Sequence, residues 1–349
     1  MRWVRIIFLP VSLVVLFSAA LIVPLPRFVE RPGQILSLND CVTVGEERTS
    51  VAGDFLLTTV NVRQATIADM VVAAVRPDSR IEKPEAVIPP GMGTGDYFRL
   101  QRQNFRLSAD VAAAIGLRAA GISAEVSGDG AQVVRVLEGG PSEQLLQPGD
   151  VIVAVESARV RTEVDLRRAV AKGQEGQPLE LAVVRNRKHL TVDVVPVILE
   201  GQLIIGVLPQ TANPTVSLPI GVDVRSGPVG GPSAGLMIAL TVFDKQSEDV
   251  DLAAGRIVAG TGTIDMEGRV GTVGGVDLKV LAAQRQGATL FLVPRADAAA
   301  AKEVLSEDAN IQVVAVDTFD DAREALLQTA PETPAKSDGA GACPYGTTA

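Results

Sequence analysis

Ser226-Gly227-Pro228-Val229-Gly230-Gly231-Pro232-Ser233-Ala234-Gly235-Leu236 leads from a turn-rich loop into the apolar segment Leu236 to Phe243. Pro232 suits the first position of a helix, and Ala234-Gly235 leaves no bulk beside the Ser233 hydroxyl. The stretch therefore predicts a serine at a helix start. There, unsatisfied backbone N–H groups and the positive end of the helix dipole favour an anion or an oxyanion. Gly231, Pro232 and Ala234 form the backbone loop around it. The same residues read equally well as an ordinary serine at the mouth of a buried helix.

A nucleophilic serine needs a base. The chain holds one histidine, His189, within Lys188-His189-Leu190-Thr191-Val192-Asp193-Val194. Leu190, Val192 and Val194 alternate on one face there, which turns His189 to solvent and argues against a Ser-His-Asp triad. Lys279 is the remaining candidate. It belongs to a helix opened by Gly274-Gly275 and closed by Gly287, and a step of about 100° per residue sets it in the apolar sector of Val276, Ala282 and Ala283. Burial there lowers an amine's pKa and makes it a general base near neutral pH. The competing reading is a snorkelling lysine whose stem covers apolar surface.

Gly231-Pro232-Ser233-Ala234-Gly235, Gly260-Thr261-Gly262-Thr263-Ile264, Gly268-Arg269-Val270-Gly271 and Gly274-Gly275-Val276-Asp277-Leu278-Lys279 occur in this order. Together they resemble the successive motifs of the Lon protease proteolytic domain, over residues 199–330. The resemblance implies a Ser/Lys dyad of Ser233 and Lys279, with Thr261 supporting the lysine by a hydrogen bond. Gly230 stands where the family commonly has an aspartate.

The 349 residues are 47% apolar and suit two or three domains. A net charge of −9 argues against a nucleic-acid partner. Arg2 and Arg5 precede a charge-free apolar run from Ile6 to Leu25, long enough to span a bilayer. That run continues through Leu21-Ile22-Val23 beyond the small residues Ser18-Ala19-Ala20, which favours an uncleaved anchor over a signal peptide. Residues 1–26 then form a cytoplasmic N-terminus and transmembrane helix, and everything beyond lies outside the cytoplasm.

Residues 27–117 read as a membrane-proximal region, with a strand over Phe55–Val62, a loop at Pro89–Gly95 and a helix from Ser108 to Leu117. No residue there suggests chemistry. Residues 118–198 carry short strands, a helix capped by Thr162 with Asp165, and a hairpin around Asn186-Arg187. Pro141-Ser142 and Leu146-Gln147-Pro148-Gly149-Asp150-Val151-Ile152 resemble bacterial PDZ domains. That resemblance implies a groove for an extended peptide, with Gly121 and Ile122 as candidates for the carboxylate loop. Beyond Lys279, strands and helices alternate: Leu290–Val293, Ala298–Leu305, Ile311–Val316, and a helix capped by Thr318 that runs through Leu327.

Residues 331–349 have the composition of a disordered tail. Cys41 and Cys343 are either a disulfide or free thiols. Metal-ligand spacing is absent, and so is the Gly-x-x-x-x-Gly-Lys-Ser/Thr loop of an ATPase.

The expectation is a mixed α/β, α+β multidomain protein: transmembrane helix, PDZ-like β-rich domain and Lon-type proteolytic domain. The whole resembles membrane-anchored bacterial PDZ/Lon-type peptidases. That likeness implies an ATP-independent serine endopeptidase without cofactor, acting outside the cytoplasm on exported or membrane-associated polypeptides. It leaves a homo-oligomer open. The alternative is a peptide-binding PDZ scaffold whose Lon-like domain is inactive or processes only itself.

Overall fold

The computed structural model of the chain describes residues 23–45, 52–199, 201–247, 250–331 and 343–345. They form two units, one built from the chain up to Gly121 and again from Ile220 onward, the other from Ile122–Pro219. The smaller unit is thus an insertion within the larger. The anchor expected over Ile6–Leu25 lies outside the described residues except for its last three. Among the described residues no helix is long and apolar enough to cross a membrane.

The first half of the larger unit contains β1 (Phe28–Ser37), β2 (Val42–Val44), β3 (Asp54–Gln64), α1 (Ile67–Val75), β4 (Arg80–Glu82) and α2 (Thr94–Ala119). In β3 the consecutive residues Phe55-Leu56-Leu57-Thr58 are all buried, the signature of a strand covered on both faces. α2 is far longer than the helix read over Ser108–Leu117. Asp96 to Leu107 contains no breaker, so the helix extends back to its cap at Gly93, and Ser108 is an interior residue rather than a cap.

The inserted unit holds β5 (Glu125–Ser127), β6 (Gly130–Val136), β7 (Val151–Val155), α3 (Glu163–Val170), β8 (Leu179–Arg185), β9 (Lys188–Val194), β10 (Val207–Ala212) and β11 (Thr215–Ser217). Its main sheet has the order β9-β8-β7-β6-β10, and β11 pairs with β5. Ile152, Leu166, Leu181, Val183 and Val194 form its core. Thr162 and Asp165 make a reciprocal capping box at α3. Asn186 and Arg187 take positive φ of 50° and 64°, as a two-residue hairpin turn requires. The Pro148-Gly149-Asp150 turn is fixed by Asp150, which is buried and accepts from Arg185 Nε and Nη2 at 2.7 and 2.6 Å.

The chain then returns to the larger unit with β12 (Val222–Val224), α4 (Gly235–Gln246), β13 (Ile257–Gly260), α5 (Val276–Arg285), β14 (Leu290–Pro294), α6 (Ala298–Glu303), β15 (Gln312–Val316) and α7 (Phe319–Gln328). A six-stranded sheet runs β15-β14-β13-β3-β1-β4, with β13 parallel to both β3 and β14. Residues 27–117, for which a separate membrane-proximal region is the expectation, therefore supply half the strands of this sheet. Alternation along the strands sets Leu56, Ala259 and Phe291 on one face, where Val276, Val280 and Ala283 of α5 cover them. Gly260 turns to the other face, against Met237 of α4.

Cys343 is disulfide-bonded to Cys41, with Cα atoms 5.0 Å apart. Tyr345 Oη donates to Gln34 Oε1 at 2.9 Å. So residues 343–345 are held against the larger unit; the rest of the predicted tail, apart from Pro331, lies outside the described residues.

α2 and α4 approach closely at Gly116. A Cβ there would meet the Ala239 carbonyl oxygen at 2.5 Å and Val242 Cβ at 2.8 Å. Gly116→Val must push the helices apart, and equilibrium urea unfolding should show a loss of about 1–3 kcal/mol. An unchanged midpoint would show that this contact yields freely.

Candidate active site

Ser233 is held from behind. Its carbonyl accepts from Gly262 N at 2.9 Å and from Thr261 Oγ1 at 3.1 Å, and Leu236 N donates to Gly262 O at 3.1 Å. The serine loop is thereby tied to the segment that leaves β13. Pro232 O accepts from Ser108 Oγ of α2 at 3.0 Å. The helix opens later than Pro232 suggests: α4 starts at Gly235 with Ala234 as its N-cap. Gly235 has room for no side chain, because a Cβ would lie 3.0 Å from Ile264 N and 3.1 Å from Ser108 Oγ.

Lys279 reaches the same point from the opposite face of the sheet. α5 begins after Gly275, whose φ of 65° suits glycine and whose missing Cβ makes room for Val60 Cγ2. One turn along, Lys279 Nζ lies 2.9 Å from Ser233 Oγ and donates to Thr261 Oγ1 at 3.0 Å. Only 4% of the lysine is exposed. Burial brings its pKa down to about 8, partly opposed by the Asp297 carboxylate. Asp297 is itself fixed by accepting from Val273 N at 2.9 Å.

The pair opens into a groove of ≈ 740 Å³. One wall is the serine loop, and another is β3 from Leu57 to Val62; Tyr97, Phe98 and Gln101 of α2 also line it. Thus the segment in which no residue suggests chemistry provides much of the groove. Its signal in the sequence, the run Phe55–Val62, marks a strand but not what the strand faces. The ladder of β13 with β3 ends at Gly260 and Leu57. Among the described residues β3 has no strand partner on that side beyond this point, so the backbone groups of Val60 and Val62 face the groove.

Among the loop residues expected to serve an oxyanion, Pro232 has no N–H and Gly231 N already donates to Gln101 O at 2.8 Å. Among the described residues the N–H groups of Ser233 and Ala234 have no acceptor, and they are the donors left for that purpose. Gly121, with φ of 81°, follows α2 and Ile122 opens the inserted unit, so the two candidates for the carboxylate loop stand where the chain enters that unit. His189 is exposed on β9, paired with Val184.

The amine of buried Lys279 thus meets the half-buried hydroxyl of Ser233 at the carboxyl end of a parallel strand, in an open groove, an arrangement in which an amine can take a proton from a hydroxyl. Residues 212–329 match the family model of the Lon protease (S16) C-terminal proteolytic domain, and residues 119–195 match that of the PDZ domain. Together these matches give the chain a PDZ domain followed by a Lon-type proteolytic domain. It is 38% identical over 128 residues to the Lon protease of Roseiflexus castenholzii, covering 35% of this chain and 16% of that one. It is 28% identical over 190 residues to the Lon protease of Campylobacter jejuni, covering 51% of this chain and 22% of that one. The chain therefore spans only 16% and 22% of the length of these two relatives. Among solved structures, the PDZ domain of an SdrC-like protein from Listeria monocytogenes aligns at 18% identity with a TM-score of 0.22, over 23% of this chain and 87% of that one.

Gly230, at the position where the resemblance leads one to expect an aspartate, sits against α2. A Cβ there would lie 2.9 Å from Gln101 Cβ and 3.2 Å from its carbonyl carbon. Gly230→Asp is expected to displace the serine loop and cost about 1–3 kcal/mol in thermal or urea unfolding. Full retention of stability would show that the loop accepts the acid after all.

Proposed function

We propose that the protein is an ATP-independent serine endopeptidase in which Ser233 is the nucleophile and Lys279 the general base. The observation that carries this reading is the 2.9 Å contact between Lys279 Nζ and Ser233 Oγ in a site that removes the amine from water. A neutral amine accepts the hydroxyl proton as Ser233 Oγ attacks a peptide carbonyl. The N–H groups of Ser233 and Ala234 receive the developing oxyanion. The lysine then returns its proton to the leaving amine, and water repeats the sequence on the acyl-enzyme. Thr261 acts twice, keeping Lys279 aimed and holding the Ser233 carbonyl. A peptide in extended form fits the unpartnered edge of β3, where Val60 and Val62 offer main-chain hydrogen bonds.

Substrates in this reading are flexible segments of exported or membrane-associated polypeptides, delivered by the PDZ domain. The charge-free run Ile6–Leu25 with Arg2 and Arg5 before it supports a single-pass anchor with the peptidase outside the cytoplasm. No nucleotide is needed for the steps above.

Hydrolysis of a flexible protein such as casein by the full chain tests the assignment. Ser233→Ala should abolish it. Lys279→Arg should fold and yet lose at least about a thousandfold in rate, since a guanidinium is not deprotonated in proteins. The wild-type rate should rise with pH through about 8, because only the unprotonated amine serves as base. Near-wild-type cleavage by Lys279→Arg with Ser233→Ala inactive would assign the base elsewhere. Equal, negligible turnover by wild type and Ser233→Ala would favour a peptide-binding scaffold.

A further inference from the structure

α1 is an amphipathic helix turned inside out. Its one ionisable residue, Asp69, is 4% exposed and faces inward, accepting from Arg31 Nη2 at 3.0 Å and from Arg63 Nη2 at 2.6 Å. The outward stripe is apolar: Ile67, Met70, Val71 and Val75 are 49%, 41%, 64% and 77% exposed, and Ala74 completes the i, i+3, i+4, i+7, i+8 spacing. A soluble surface rarely leaves such a stripe open without a partner.

The chain itself indicates the occupant. Leu25 N donates to Ala65 O at 2.7 Å and Ala65 N to Arg27 O at 2.9 Å, so Leu25, the last residue of the apolar run in the sequence, is held beside Ala65, two residues before α1 begins. Arg27 at this contact and Arg76 just after α1 are both exposed, so a cation suited to anionic headgroups stands near each end of the helix, although exposed Glu85 lines the same pocket as Arg27.

We propose that α1 lies in the bilayer interface, with its apolar stripe on the acyl chains and Arg27 and Arg76 among anionic lipid headgroups. This rests on the reading of Ile6–Leu25 as a membrane anchor and adds a second, independent attachment. It also fixes what the groove can reach. β3 runs from the groove toward α1, and the strand from Val60 to Gln64 plus the short link to Ile67 spans about 15–20 Å. The substrate class is then the juxtamembrane segment of a membrane-bound polypeptide, within that reach of the bilayer.

The test uses the full chain in vesicles of mixed phosphatidylglycerol and phosphatidylcholine. Both native cysteines are disulfide-bonded, so an introduced Val71→Cys can carry a fluorophore, with Glu303→Cys on α6, near the far edge of the sheet, as control. The Val71 label should be quenched at least about threefold more by spin-labelled lipid than the Glu303 label, and iodide should show the reverse order. Arg27→Glu with Arg76→Glu should weaken the lipid quenching. A Val71 label open to iodide, on a chain that floats with the vesicles, overturns the docking and leaves the anchor standing. Failure to float overturns both. Shielding of Val71 from iodide and lipid alike would assign the stripe to a second copy of the chain instead.

Discussion

Everything at the site depends on keeping one amine out of water without leaving it unpaired. A buried ammonium without partners is expensive, so the fold supplies two hydroxyl oxygens, from Ser233 and Thr261, at hydrogen-bond distance. The same burial brings the lysine's pKa down to about 8. Geometry follows from this constraint. The lysine comes from a helix on one face of the sheet and the serine from the mouth of a helix on the other, and they meet where β13 ends. Thr261, the first residue past that strand, touches both.

The small residues around the site are consequences of the same meeting. Gly235 lets the serine turn press against Ile264 and Ser108, Gly275 lets α5 start beside Val60, and Gly230 lets the loop run under α2. The last of these accounts in steric terms for a glycine where the resemblance leads one to expect an aspartate: Gln101 fills the space in which an acid would stand. α2 does more than support. It carries Ser108 to the Pro232 carbonyl and lines the groove with Tyr97, Phe98 and Gln101.

Much of this was legible in the sequence, and the limits have physical causes. The burial of Lys279 was legible because helical periodicity places it in an apolar sector, and the turn before α4 because glycine and proline punctuate the chain around Ser233; that the two side chains belong together came from the resemblance alone. The cap at Thr162 and the hairpin at Asn186-Arg187 depend only on neighbours within a few residues. In contrast, the role of residues 27–117 rests on β3 pairing with β13 some 200 residues later, and local patterns carry no information about such a pairing. The start of α4 at Gly235 rather than Pro232 has the same origin. Bonds from Gly262, Thr261 and Ser108 hold the turn, and all three donors are remote in sequence. The inward Asp69 shows the converse. Its capping box with Thr66 is a local signal, but only the tertiary contacts with Arg31 and Arg63 turn the apolar side of the helix outward.

The central claim is that Lys279 activates Ser233, and trapping of an acyl-enzyme tests it most directly. Wild type and Lys279→Met would be treated with a peptidyl β-lactone, a reagent that acylates activated serines, and the adduct mapped by mass spectrometry of proteolytic fragments. The account predicts one acyl group on the fragment containing Ser233 in the wild type, forming faster as pH rises through about 8, and none on the same time scale in Lys279→Met. Acylation of Ser233 at equal rates in both proteins, or an adduct confined to another residue, would contradict it.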